Sequence, residues 1–157
     1  DYAHNPDGLR GLLEVAAGLR RARMALLLGH AGNRHDADFQ ALAEVAAAAR
    51  PDRTWLKDIG GSYLRGRASG DVAQILREAL VADGMPEDAL PVCLDEALAA
   101  QAALAWAKPG DLLLLLLHEP ARRDAVLALL ARLQTEDWQA GQPVPLPEGA
   151  GGAAALV

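Results

Sequence analysis

Two apolar rhythms alternate along this chain, and that exchange limits the possible folds more than any other feature. Leu9, Leu12, Leu13, Ala16 and Leu19 recur at helical spacing, and Met24-Ala25-Leu26-Leu27-Leu28 then runs unbroken to Gly29. The first pattern buries one face of a helix; the second belongs to a strand covered on both sides. Asn5-Pro6-Asp7 offers the opening helix a cap, a first-turn proline and an acidic first turn.

The unit then recurs. Residues 36–49 read as a helix with Phe39, Leu42, Ala43 and Ala46 inward, and Thr54-Trp55-Leu56 as a short strand. Ser69 is placed to cap a helix with Val72, Ile75, Leu76 and Leu80 inward, ending near Gly84. Residues 90–94, which include Cys93, read as a strand, and Asp95 caps an Ala-rich helix. Residues 112–117 read as the most buried strand, and Pro120 opens a helix carrying Val126, Leu127, Leu130 and Leu133. Such alternation implies crossover connections and a parallel sheet. The expected fold is therefore α/β: a three-layer Rossmann-like domain over residues 1–134, with a mostly parallel sheet and helices on both faces. A further strand is expected just upstream of Asp1. Residues 135–157, rich in Pro, Gly and Ala, read as an irregular tail whose start Trp138 can pin.

Composition removes several function classes. A length of 157 residues suits one domain. The net charge of −6 is the wrong sign for a nucleic-acid-binding module. A single cysteine leaves no disulfide framework within the chain and no multi-cysteine zinc site. The apolar run at 112–117 is far shorter than the ~20 residues that span a bilayer. A cytoplasmic location without membrane contact is expected. The chain opens at Asp1 with neither a Met nor a signal-peptide pattern, and it reads as a piece of something longer.

In an open parallel sheet, ligands bind outside the carboxyl ends of the strands. The segments expected there are 1–5, 29–35, 57–68, the turn at Asp95, and His118-Glu119. They hold His4, His30, His35 and His118, which are all the histidines, together with Arg34, Arg65 and Arg67. At the opening helix, backbone N–H groups and the helix dipole can meet an anion beside His4, while Asp1 can accept from ribose hydroxyls. A plain helix cap accounts for the same residues. The stretch Gly29 to Asp36 makes a flexible loop before a helix, without the Lys-Ser/Thr of a phosphate loop. Paired arginines at 65 and 67 suit a carboxylate or phosphate, though a solvated loop explains them too. No metal site is expected, because the His and Glu residues lack any recurrent zinc spacing. Cys93 sits in an apolar run that points to inert burial.

These landmarks, in this order, resemble the C-terminal domain of the Mur ligase family. Asp1-Tyr2-Ala3-His4-Asn5-Pro6 is similar to the motif that opens that domain. Gly32-Asn33-Arg34-His35-Asp36 resembles the family's loop after the second strand, and Arg65-Gly66-Arg67 the arginine loop after the third. Pro109-Gly110-Asp111, an apolar strand and His118-Glu119 resemble its final strand. The two arginine-bearing loops most resemble those of cyanophycin synthetase-like ligases; the pattern is also similar to peptidoglycan amino-acid-adding ligases and folylpolyglutamate synthases.

The resemblance implies ATP-dependent amide bond formation through an acyl phosphate. Asp1 would hold the ribose of ATP, His4 its phosphates, Asn5 the loop and helix start, and Arg34 the cleft over the nucleotide. Arg65 or Arg67 would meet the carboxylate of the incoming amino acid, with His118 and Glu119 on that substrate side. Catalytic groups and the ligands for Mg2+ would lie in a central domain outside this sequence, which with an N-terminal domain would be its partner. The isolated chain is thus expected to be inactive. Asn33 replaces the family's usual aspartate, and the Asp-Asn-Pro-Arg signature of diaminopimelate- and lysine-adding enzymes is absent. The rival expectation is a non-catalytic α/β module whose loops bind a partner protein or a small anion.

Overall fold

The computed structural model describes residues 3–145. Its elements run α1 (Pro6–Leu19), β1 (Met24–Leu28), α2 (Asp36–Ala48), β2 (Arg53–Leu56), a 3-10 turn (Gly61–Leu64), α3 (Asp71–Ala82), α4 (Glu96–Trp106), β3 (Leu112–Leu114) and α5 (Pro120–Thr135). The strands form a parallel sheet in the order β2-β1-β3, with Leu27 opposite Trp55 and Ala25 opposite Leu113.

Strand periodicity divides the core into two layers. Leu26 and Leu28 join Leu9 and Leu13 of α1, Phe39 and Leu42 of α2, and Val72 and Leu76 of α3 on one face. Ala25 and Leu27 face the other way, packing with Trp55, the alanines of α4, and Val126 of α5. The alanines of α4 let that helix lie close to the sheet. The result is the expected three-layer α/β arrangement.

Several local details differ from the sequence expectation. The buried centre is β1, all five of whose residues are covered, and not the 112–117 run. β3 comprises only Leu112–Leu114 and takes the outer position beside β1, which leaves Leu112 and Leu113 partly exposed. Residues 90–94 make one parallel bridge, Val92 to Leu56, in place of a strand. Leu56 N–H donates to the Pro91 carbonyl at 2.9 Å and Cys93 N–H to the Leu56 carbonyl at 2.8 Å, and Pro91 has no N–H with which to extend the ladder. Cys93 is accordingly half-buried.

Ser69 does not cap α3. Gly70 takes that position at φ +91°, a backbone conformation that glycine adopts without strain, and the Ser69 hydroxyl donates instead to Asp58. On α5 the buried residues are Val126, Leu129 and Leu133, whereas Leu127 is 54% exposed. Trp138 packs with Leu104, Leu129 and Leu133, and its backbone N–H donates to Leu133 at 2.9 Å. Gln101 donates to the Val144 carbonyl at 3.1 Å, so residues 136–145 follow the domain surface. The strand expected before Asp1, Asp1 itself and the end of the tail lie outside the described residues. Among the described residues, no helix is long and apolar enough to cross a membrane.

Candidate functional site

The carboxyl ends of β1 and β2 approach so closely that side chains are excluded between them. A Cβ on Gly29 would lie 2.5 Å from the Lys57 carbonyl oxygen, and one on Gly32 would lie 2.0 Å from that of Leu64. Gly32 N–H donates to Tyr63 at 2.8 Å, lacing the loop after β1 to the turn after β2. Arg67 completes the lacing. Its guanidinium pairs with Asp36 at 2.7 Å, donates to the carbonyls of Gly32 and Arg34 at 3.1 and 3.0 Å, and lies 5.1 Å from the centre of the Phe39 ring.

Between these loops and the start of α1 lies a cavity of about 190 Å³, lined among others by His4, His30, Arg34, Tyr63, Arg65 and His118. Arg34, Arg65 and His4 are exposed there, and Arg65 stands 5.9 Å from the centre of the Tyr63 ring. No carboxylate lines the cavity among the described residues, so its charged groups favour an anion. Two of the histidines hold the opening segment in place. The ring Nε2 of His30 lies 2.7 Å from the His4 carbonyl oxygen, and that of His118 lies 3.2 Å from the Ala3 carbonyl oxygen. Asn5 accepts from Gly8 N–H at 2.7 Å and so caps α1.

The structure thus brings His4, Arg34, Arg65 and His118 around one cavity. Asn5, Arg67 and Glu119 are placed as supports: Glu119 accepts from Gly60 N–H at 2.9 Å and holds the loop ahead of Tyr63. His35 sits at the start of α2, outside the cavity lining.

Beneath the cavity is a buried polar cluster that the sequence reading did not anticipate. Lys57 and Glu96 are fully buried and His118 is nearly so. The Lys57 ammonium donates to the Glu96 carboxylate and, at 3.0 Å, to Nδ1 of His118. Glu96 also accepts from the backbone N–H groups of His118 and Glu119, at 2.9 Å each. Burial opposes ionisation of Glu96, but the Lys57 charge, the Lys57 hydrogen bond and the backbone N–H of Glu119 outweigh it and hold the carboxyl down at about 2. Burial likewise lowers Lys57, against the pull of Glu96. Burial lowers His118 below its ordinary value, so the ring is neutral at pH 7. The available signal was a charged residue at the edge of each of two apolar stretches: Lys57 after Trp55-Leu56, and Glu96 before an alanine run.

Asp58, next to Lys57, accepts from the Ser69 hydroxyl at 2.9 Å and from Gly70 N–H at 2.8 Å. It therefore joins the end of β2 to the start of α3. Among the described residues, no three His, Cys, Asp or Glu side chains are grouped to hold a metal ion.

Comparison with known proteins adds an independent line. The family model described as "Mur ligase, glutamate ligase domain" matches residues 1–116. The UDP-N-acetylmuramoyl-L-alanyl-D-glutamate--2,6-diaminopimelate ligase of Synechococcus sp. (strain WH7803) is 34% identical over 116 residues, covering 73% of this chain and 21% of that protein. The cyanophycin synthetase of Synechocystis sp. (strain ATCC 27184 / PCC 6803 / Kazusa) is 33% identical over 104 residues, covering 66% of this chain and 11% of that protein. A solved structure of a UDP-N-acetylmuramoyl-L-alanyl-D-glutamate--2,6-diaminopimelate ligase superposes with a TM-score of 0.54 at 19% identity, over 73% of this chain and 22% of that one. The chain spans about a fifth of the length of the first of these relatives.

Proposed function

The chain belongs to the Mur ligase family by its glutamate ligase domain, and on that premise we propose that it closes over ATP and receives the incoming amino acid in an amide-forming ligase. The observation that carries this reading is the cavity where Arg34, Arg65 and His4 converge without an opposing carboxylate.

Its size narrows the role. A cavity of about 190 Å³ is smaller than a typical ligand pocket of roughly 300–1,000 Å³. It is too small to enclose a nucleotide, so its exposed basic residues meet anionic groups that lie partly outside it, and the rest of the nucleotide needs a facing surface. In this proposal that surface is a central domain of a longer chain, which also carries the Mg2+ ligands. The described residues hold no cluster of three His, Cys, Asp or Glu side chains suited to that ion.

His4 and Arg34 then contact the phosphates of ATP, and Asp1 the ribose. Arg65 grips the amino acid's carboxylate through its bidentate fork. His118 supports the opening segment; Asn5, Arg67 and Glu119 keep the loops in register. ATP supplies the phosphoryl group that activates a substrate carboxylate for attack by the amine. Closure of the domain excludes water from the labile acyl phosphate. The chain alone is inactive in this account, and the assembled ligase works in the cytoplasm without nucleic acid or membrane.

The test is ATP hydrolysis by the full-length ligase, screened with single amino acids. Stimulation by one of them supports the proposal. Hydrolysis unaffected by every amino acid, or turnover by this chain alone, contradicts it.

A further inference from the structure

The buried cluster does more than satisfy its own charges. Lys57 Nζ carries hydrogens and no lone pair once protonated, so it can only donate. It stands 3.0 Å from Nδ1 of His118, which must then present a lone pair. The ring proton is left on Nε2, and Nε2 faces the Ala3 carbonyl oxygen at 3.2 Å. The opposite tautomer would set an N–H against the ammonium and a lone pair against a carbonyl oxygen. Both contacts are repulsive, and burial leaves little solvent to soften them.

One group argues the other way. Glu96 Oε1 lies 3.3 Å from the same Nδ1 and would accept a proton there. That oxygen already accepts from Lys57 at closer range, and the carboxylate also accepts from the backbone N–H groups of His118 and Glu119. The ammonium is thus the nearer and stronger influence on Nδ1.

We propose that Lys57 is a positioning residue that locks His118 in its Nε2–H tautomer and, through that proton, holds the Ala3–His4 segment at the mouth of the cavity. The Lys57–Glu96 pair would in this way reach across the sheet to set where His4 stands. Its consequence for nucleotide contact rests on the function proposed above; the lock itself does not.

The experiment is a long-range proton–nitrogen correlation spectrum of the 157-residue chain labelled with 15N-histidine, at neutral pH. His118 is assigned by the signals lost in His118→Gln or, should that variant not fold, by elimination with His4→Gln, His30→Gln and His35→Gln. The expected result is a single neutral tautomer with the proton on Nε2. A ring protonated on Nδ1, or on both nitrogens, overturns the proposal. In Lys57→Met the tautomer preference is expected to be lost and amide exchange at His4 and Asn5 to quicken. A folded Lys57→Met chain with an unchanged His118 tautomer also overturns it, and if that variant does not fold the wild-type spectrum decides. Because the spectrum reads the ring directly, its outcome is separable from any failure to find a ligase activity.

Discussion

Arg67 is held by Asp36 at 2.7 Å, while Arg65, two residues earlier, stands at the cavity. The sequence offered both arginines for one task; in the structure Arg67 is tied into the loops and Arg65 stands exposed at the cavity. Removing the Arg67 guanidinium unlaces two loops by taking away a partly exposed ion pair and two carbonyl contacts. Arg67→Ala is expected to cost about 1–2 kcal/mol in urea unfolding. Arg65→Ala is expected to stay within about 0.5 kcal/mol of the parent, as an exposed side chain whose contact with the Tyr63 ring is a loose 5.9 Å.

Gly32 is where the two loops come closest. A methyl group there would sit 2.0 Å from the Leu64 carbonyl oxygen, a backbone atom that cannot swing aside. Gly32→Ala is expected to push the Gly61–Leu64 turn away and to destabilise the chain by about 1–3 kcal/mol. The thermal midpoint measures the cost, and limited proteolysis within residues 61–67 locates it.

The α5 helix separates what could be read in the sequence from what could not. Pro120 and the apolar spacing marked the helix, just as Asn5-Pro6 marked α1 and the all-apolar 24–28 run marked β1. In α5, however, apolar residues fall on several sides, so Leu127 reads as well as Leu129 for an inward position. Only packing against Leu104 and Trp138 decides between them. Leu129→Ala is expected to cost about 2–5 kcal/mol and Leu127→Ala under about 0.5 kcal/mol, both by urea midpoint. The Lys57–Glu96 pair was hidden for a related reason: its partners are 39 positions apart, and no local periodicity records such a pairing. Ser69 misled because a good capping residue beside Gly70 was already engaged by Asp58.

Acid should act on the chain through the buried cluster. Glu96 is held at about 2, below its ordinary 4.5, so its stabilisation is complete above pH 4.5 and drains away as pH falls toward 2. His118 is also lowered, from 6.5, so protonation of the unfolded chain begins to oppose folding as pH falls below 6.5. Both effects have the same sign. Urea midpoints are expected to fall from pH 7 downward, with a steeper decline below pH 4.5. His118→Gln should flatten the first part of that curve and Glu96→Gln the second, each from a lower starting stability.

In the proposed function the cavity receives the amino acid's carboxylate at Arg65. Steady-state kinetics of Arg65→Ala in the full-length ligase test it most directly. Loss of a charge-assisted bidentate contact worth about 1.5–3 kcal/mol corresponds to a rise in the amino acid's KM of roughly 10- to 150-fold, with the KM for ATP little changed. An unchanged amino-acid KM, or a change confined to ATP, would contradict the account.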